Sequence, residues 1–155
     1  MLYTSPLASL VAAAVKKAAN SLIRDFNEIE KLQNSLKSHR EFVANSYQKI
    51  ERELKKELQK VRPELDSFLI SPLDGIMNFA HGLAHFTLSV AVCNDGKPVV
   101  GVVYSPILDE LFFAEKGKGA FKEGARNVER LRVSARKELK EALVSVPTKS
   151  VINGQ

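Results

Sequence analysis

A chain of 155 residues, 45% apolar and 26% charged, has the length and composition of one soluble globular domain with a substantial core. No apolar run approaches the roughly 18 residues that cross a membrane, and the apolar stretch 7–15 is followed rather than preceded by Lys16 and Lys17, the wrong order for a secretory signal. The lone Cys93 excludes an intramolecular disulfide and suits a reducing cytoplasm, while the net charge of +5 is concentrated in residues 116–140, where nine basic side chains face three acidic ones.

Ser5-Pro6 is a helix start, with serine as N-cap and proline at the first helical position. Leu7, Val11, Ala14, Ala18, Leu22, Phe26 and Ile29 then recur at three- and four-residue steps, which predicts one long helix ending near Lys31. A second helix is expected from Asn45 or Ser46, with Tyr47, Ile50, Leu54, Leu58 and Val61 as its stripe and Pro63 marking its end. The period changes after Ser67. Strands are expected at 68–70, 85–93, 99–104, 111–115, 120–122, 132–134 and 143–146. Asn94-Asp95-Gly96-Lys97 and Lys116-Gly117-Lys118-Gly119 are turns between them. Two helices followed by a run of hairpins predict an α+β architecture, helices on one face of a mainly antiparallel sheet.

The chemistry concentrates at residues 71–79, Ser-Pro-Leu-Asp-Gly-Ile-Met-Asn-Phe. A carboxylate, Asp74, stands at the end of an apolar strand and is followed by Gly75, whose missing Cβ lets a ligand approach the backbone. An isolated Asp-Gly is usually only a turn. Other arrangements are weaker. His81 and His85 are four apart, a metal-ligand spacing on a helix, but they flank Gly82 beside a strand, so His81 reads as a structural hydrogen-bonding residue. Ser71, Asp74 and His81 contain the residue types of a hydrolase triad without the glycine pattern of a nucleophile elbow. The Lys116–Gly119 turn lacks the spacing of a phosphate-cradling loop. Cys93, in an apolar strand, reads as a buried packing residue. The basic segment 116–140 reads as a solvated face of turns and strand edges, where lysine discourages edge pairing, or as an attractor of phosphate groups.

The stretch Pro72-Leu73-Asp74-Gly75, with Asn78-Phe79, His81, Phe86, Ser89-Val90-Ala91, the run from Gly101 to Pro106, and Lys116-Gly117-x-Gly119-Ala120-Phe121, resembles the inositol monophosphatase family and within it the bacterial extragenic-suppressor (SuhB-like) group. The resemblance runs from the first helix to about Val146 and is most specific over residues 71–134. It implies the N-terminal half of a layered α/β sugar-phosphatase fold and a Mg²⁺-dependent phosphoric monoester hydrolase acting on inositol or related sugar monophosphates. It further implies Asp74 and the Leu73 carbonyl as metal ligands, and the backbone of Gly75 and Ile76 facing the substrate phosphate.

Departures from the family pattern fall on the same residues. Ser71 stands where the family has a metal-bridging aspartate, and Ile76 where it has a threonine that orients the attacking water. Tyr47 stands in place of an aspartate, and Leu65-Asp66-Ser67-Phe68 runs into the strand without the family's glutamate pair. Residues 1–155 are therefore expected to form a single truncated family domain lacking the C-terminal α/β domain and its Trp-Asp motif, with weak or no Mg²⁺ binding and impaired catalysis. The alternative expectation is a non-catalytic module that meets RNA or the transcription machinery through residues 116–140. Self-association, or pairing with a separate C-terminal half, is expected over the surface such a half would cover.

Overall fold

The computed structural model describes residues 5–29, 31, 36–62 and 68–144. Helix α1 spans Pro6–Ile29. The Ser5 hydroxyl accepts a hydrogen bond from the Ala8 N–H at 3.2 Å, so the predicted cap is formed. Val11, Ala14, Ala18, Leu22 and Ile29 of the expected stripe are buried along one side, joined by Val15. Helix α2 spans Leu36–Val61, beginning well before the predicted Asn45 or Ser46. The reason is visible one turn upstream, where buried Val43 and partly buried Phe42 continue the stripe of Tyr47, Ile50, Leu54 and Leu58. Its end at Val61 comes just ahead of Pro63, which disfavours helix in the residue before it.

The two helices run antiparallel. Lys17 pairs with Glu57 at 3.1 Å and Lys49 with Asp25 at 3.0 Å, so advancing along α1 means retreating along α2. They lie on one face of a six-stranded sheet whose order follows the chain, each strand antiparallel to the next. The strands are β1 (Phe68–Asp74), β2 (Thr87–Asn94), β3 (Lys97–Ser105), β4 (Glu110–Glu115), β5 (Gly119–Glu123) and β6 (Val128–Leu131). Alternate residues point at the helices: Leu88, Val90 and Val92 from β2, Val100, Val102 and Tyr104 from β3, Leu111 and Phe113 from β4, Phe121 from β5. The predicted α+β class and antiparallel sheet are therefore present.

Two local expectations are corrected and one element is added. Residues 76–80, for which no element was predicted, form the short helix α3 (Ile76–Ala80), anchored by fully buried Phe79 against Phe26 and Phe86 at ring separations of 6.0 and 5.2 Å. The sixth strand is Val128–Leu131, not 132–134. A turn closed by the Gly124 N–H donating to the Asn127 carbonyl at 3.0 Å forces the strand to begin at Val128. Leu143 and Val144, predicted to open a last strand, are exposed and belong to none, while 145–146 lie outside the described residues.

Candidate functional site

β1 enters the sheet with regular alternation: Phe68 opposite Val92, Leu69 opposite Ala91, Ile70 opposite Val90, Ser71 opposite Ser89. The register then shifts, and Asp74 pairs with Thr87. Three residues of β1 thus span two of β2, a bulge carrying one extra residue. Pro72 occupies it, where the missing N–H breaks no ladder bond, and Leu73 turns its side chain into the core. The bulge has a chemical consequence. Residues three apart on a regular strand face opposite ways, but here Ser71 and Asp74 emerge on the same face beside Ser89.

The three side chains are bonded together. The Ser71 hydroxyl donates to Asp74 Oδ1 at 2.7 Å and the Ser89 hydroxyl donates to Oδ2 at 2.9 Å. Directly after Asp74 the chain turns through Gly75 at φ +87°, where a Cβ would lie 2.9 Å from the His85 carbonyl oxygen. The same carbonyl accepts from the Asn78 side chain at 2.7 Å, which ties the turn to the approach of β2. Ile76 and Met77 point outward and are exposed. Ser71 and Asp74 are therefore brought together at this strand end, with Gly75 and Ile76 following directly in the chain. Ser89 is the member that sequence reasoning missed. Its signal was its position: it stands directly opposite Ser71, which only the strand register reveals.

Other candidates separate from this cluster. His81 caps α3 through its backbone N–H, which donates to the Met77 carbonyl at 3.1 Å, and its imidazole is exposed. α3 ends at Ala80, so His81 and His85 share no helical turn and do not form a ligand pair. Tyr47 packs partly buried against the core of α2. Lys116–Gly119 is a hairpin turn, with the Lys118 N–H donating to the Glu115 carbonyl at 3.0 Å. Cys93 is half-buried rather than buried, beside a register shift where it pairs with Pro98.

Mg²⁺ prefers octahedral oxygen ligands, usually one or two carboxylates with retained water. The donors gathered here are one carboxylate, both of whose oxygens accept hydrogen bonds from hydroxyls, and two neutral serines. Among the described residues no three His, Cys, Asp or Glu side chains lie close enough to share an ion. With both oxygens of its one carboxylate engaged by neutral hydroxyls and no second carboxylate beside it among the described residues, this donor set is a poor fit for a Mg²⁺ centre.

Helices on one face of an all-antiparallel meander, with Pro-Leu-Asp-Gly closing a bulged edge strand, form an α+β scaffold that solved structures share. The extragenic suppressor protein SuhB of Bartonella henselae superposes with a TM-score of 0.72 at 36% identity, covering 89% of this chain and 57% of that one. In sequence, the inositol-1-monophosphatase of Rhizobium meliloti is 40% identical over 93% of this chain and 59% of its own length. The Nus factor SuhB of Pasteurella multocida is 34% identical over 87% of this chain and 55% of its own. Residues 67–153 match the inositol monophosphatase family. The chain belongs to that family, and it spans less than two thirds of the length of these relatives. Among the described residues no helix is long and apolar enough to cross a membrane.

Proposed function

We propose that this chain keeps the scaffold of an inositol monophosphatase while its own residues no longer support metal-dependent hydrolysis of inositol or sugar monophosphates. The observation that carries this reading is the closed Ser71–Asp74–Ser89 cluster. A bridging carboxylate at position 71 would repel Asp74 and need a cation between them; Ser71 instead donates a hydrogen bond to it. The water-orienting hydroxyl expected at position 76 is replaced by the sec-butyl side chain of exposed Ile76. Metal-bound water and metal-stabilised charge each contribute on the order of 10² to 10³ in rate, so losing both leaves hydrolysis near the uncatalysed level.

Phosphate release from inositol 1-phosphate in excess Mg²⁺ tests this directly. The expected result is no release above the buffer blank; release that disappears in Asp74→Asn would overturn the reading. A thermal-melt series gives an independent readout. Mg²⁺ is expected to leave the melting temperature of the parent chain unchanged and to raise that of Ser71→Asp, in which two facing carboxylates recreate a cation site.

A second reading, a binding module for an acidic partner such as RNA, is favoured by the environment of the basic segment. Lys118 and Lys122 are tied to Glu115 and Glu110. Arg132, Arg136, Lys137 and Lys140 instead lie on the exposed chain beyond β6, and relatives bearing the name Nus factor SuhB match 87% and 90% of this chain. Fluorescence anisotropy with a single-stranded RNA at moderate salt is expected to show binding that weakens when Arg132 and Arg136 are neutralised, with a shallower salt dependence. Equal affinity in parent and variant rejects it.

A further inference from the structure

Asp95 and Gly96 form the centre of the two-residue turn between β2 and β3, at φ +50° and +72°, the left-handed pair that a type I′ hairpin requires. The ladder closes at Asn94 opposite Lys97, so the Gly96 N–H lies outside it. Both residues are exposed. No atom beyond its chain neighbours comes within 4 Å of where a Gly96 Cβ would stand, and the Asp95 carboxylate has no hydrogen bond or ion pair among the described residues. The same dipeptide occurs at Asp74-Gly75, which is exposed as well. There the carboxylate is held at both oxygens by the Ser71 and Ser89 hydroxyls. Gly75 is pinned too, its carbonyl accepting from the Phe79 N–H at 3.0 Å and its Cα face closed by the His85 carbonyl. Two identical dipeptides, equally open to water, thus differ in whether the side chain is free to turn on its own backbone.

We propose that Asp95 is a site of spontaneous covalent modification, converting to isoaspartate in the folded chain, while the fold protects the identical dipeptide at Asp74-Gly75. The Gly96 amide nitrogen attacks Asp95 Cγ. A C–N bond forms, one carboxyl oxygen leaves as water with the amide proton and a proton from the medium, and a five-membered succinimide results. The missing Cβ of Gly96 leaves the nitrogen open to this attack. Water then adds to one of the two imide carbonyls. Breaking the bond to Cγ restores aspartate; breaking the bond to the main-chain carbonyl leaves isoaspartate. One water is lost and one regained, and no oxidant or reductant is needed. Isoaspartate runs the main chain through an added methylene, for which a two-residue type I′ turn has no room. The altered hairpin is therefore expected to lose the Asn94–Lys97 pair that closes it.

Peptide mapping of the folded chain after prolonged storage in neutral buffer tests the proposal. Chymotryptic cleavage after Phe79 and Phe86 separates the two dipeptides, and electron-transfer fragmentation tells isoaspartate from aspartate. Isoaspartate is expected to accumulate at position 95, with the succinimide visible as the loss of one water. Position 74 is expected to lag by at least about tenfold, because ring closure there must first break two hydrogen bonds to a carboxylate. In urea the two rates are expected to converge. Asp95→Glu, which would have to close a less favourable six-membered ring, is expected to remove the signal. Ser71→Ala combined with Ser89→Ala, in a chain still folded by circular dichroism, is expected to bring position 74 into reaction. A folded chain in which position 95 stays aspartate overturns the proposal, as does conversion at 74 that keeps pace with 95. Protection at 74 that persists in the folded double variant overturns the role given to the two hydroxyls.

Discussion

Gly75 sits where a strand becomes a helix within one residue, and both of its constraints come from the backbone. Its φ of +87° lies in the left-handed region, costing a side-chain-bearing residue about 1–2 kcal/mol, and the space for a Cβ is taken by the His85 carbonyl at 2.9 Å. Gly75→Ala is therefore expected to lower stability by about 2 kcal/mol or more, read as the shift in urea midpoint at unchanged slope. Asp74, Gly75 and the departures at Ser71 and Ile76 were all legible from residue order alone. The bond from Ser89 was not, because it joins residues fifteen apart through a bulge that no local pattern announces.

Elements read from periodicity were legible where the apolar stripe was uninterrupted, as in α1. The start of α2 was misplaced because Phe42 and Val43 are adjacent in sequence, and adjacent apolar residues blur the three-to-four step. α3 escaped because five residues are too few to show a period; tertiary anchoring of Phe79 decides it. The pairing of α1 with α2 yields a contrast between two ion pairs. Lys49 neutralises Asp25, which is buried at 8% exposure. Lys55 and Glu51 sit on one solvated helix face. Lys49→Met strands a buried carboxylate and is expected to cost about 1–2 kcal/mol, whereas Lys55→Met should cost no more than about 0.5 kcal/mol. Denaturation midpoints of the two variants, measured side by side, check the ranking.

At the scale of the whole molecule, stability is bounded on both sides of neutral pH. Burial, with the hydrogen bond to Asp109, pushes the Tyr104 phenol well above its usual value near 10, and Glu110 raises Lys122. The folded state keeps these protons longer than the unfolded chain, so their stabilisation is complete below about pH 10 and is lost as pH rises through the raised values. Lys60 and Lys17 hold Glu57, and Lys118 holds Glu115, below the ordinary 4.5. Their contribution is present above 4.5 and is lost as pH falls through the lowered values. Thermal melts are expected to plateau between these limits, and Tyr104→Phe to remove part of the alkaline fall. The sheet order β1 to β6, strictly sequential, carries a kinetic consequence. Every strand pairs with its neighbour in the chain, through short turns from β2 onward and through α3 between β1 and β2, so the sheet can zip in the order in which a ribosome releases it, its hairpins forming on the microsecond scale. No strand has to wait for a distant segment, which keeps loop-closure entropy low, and stalled synthesis would leave a shorter but correctly paired sheet.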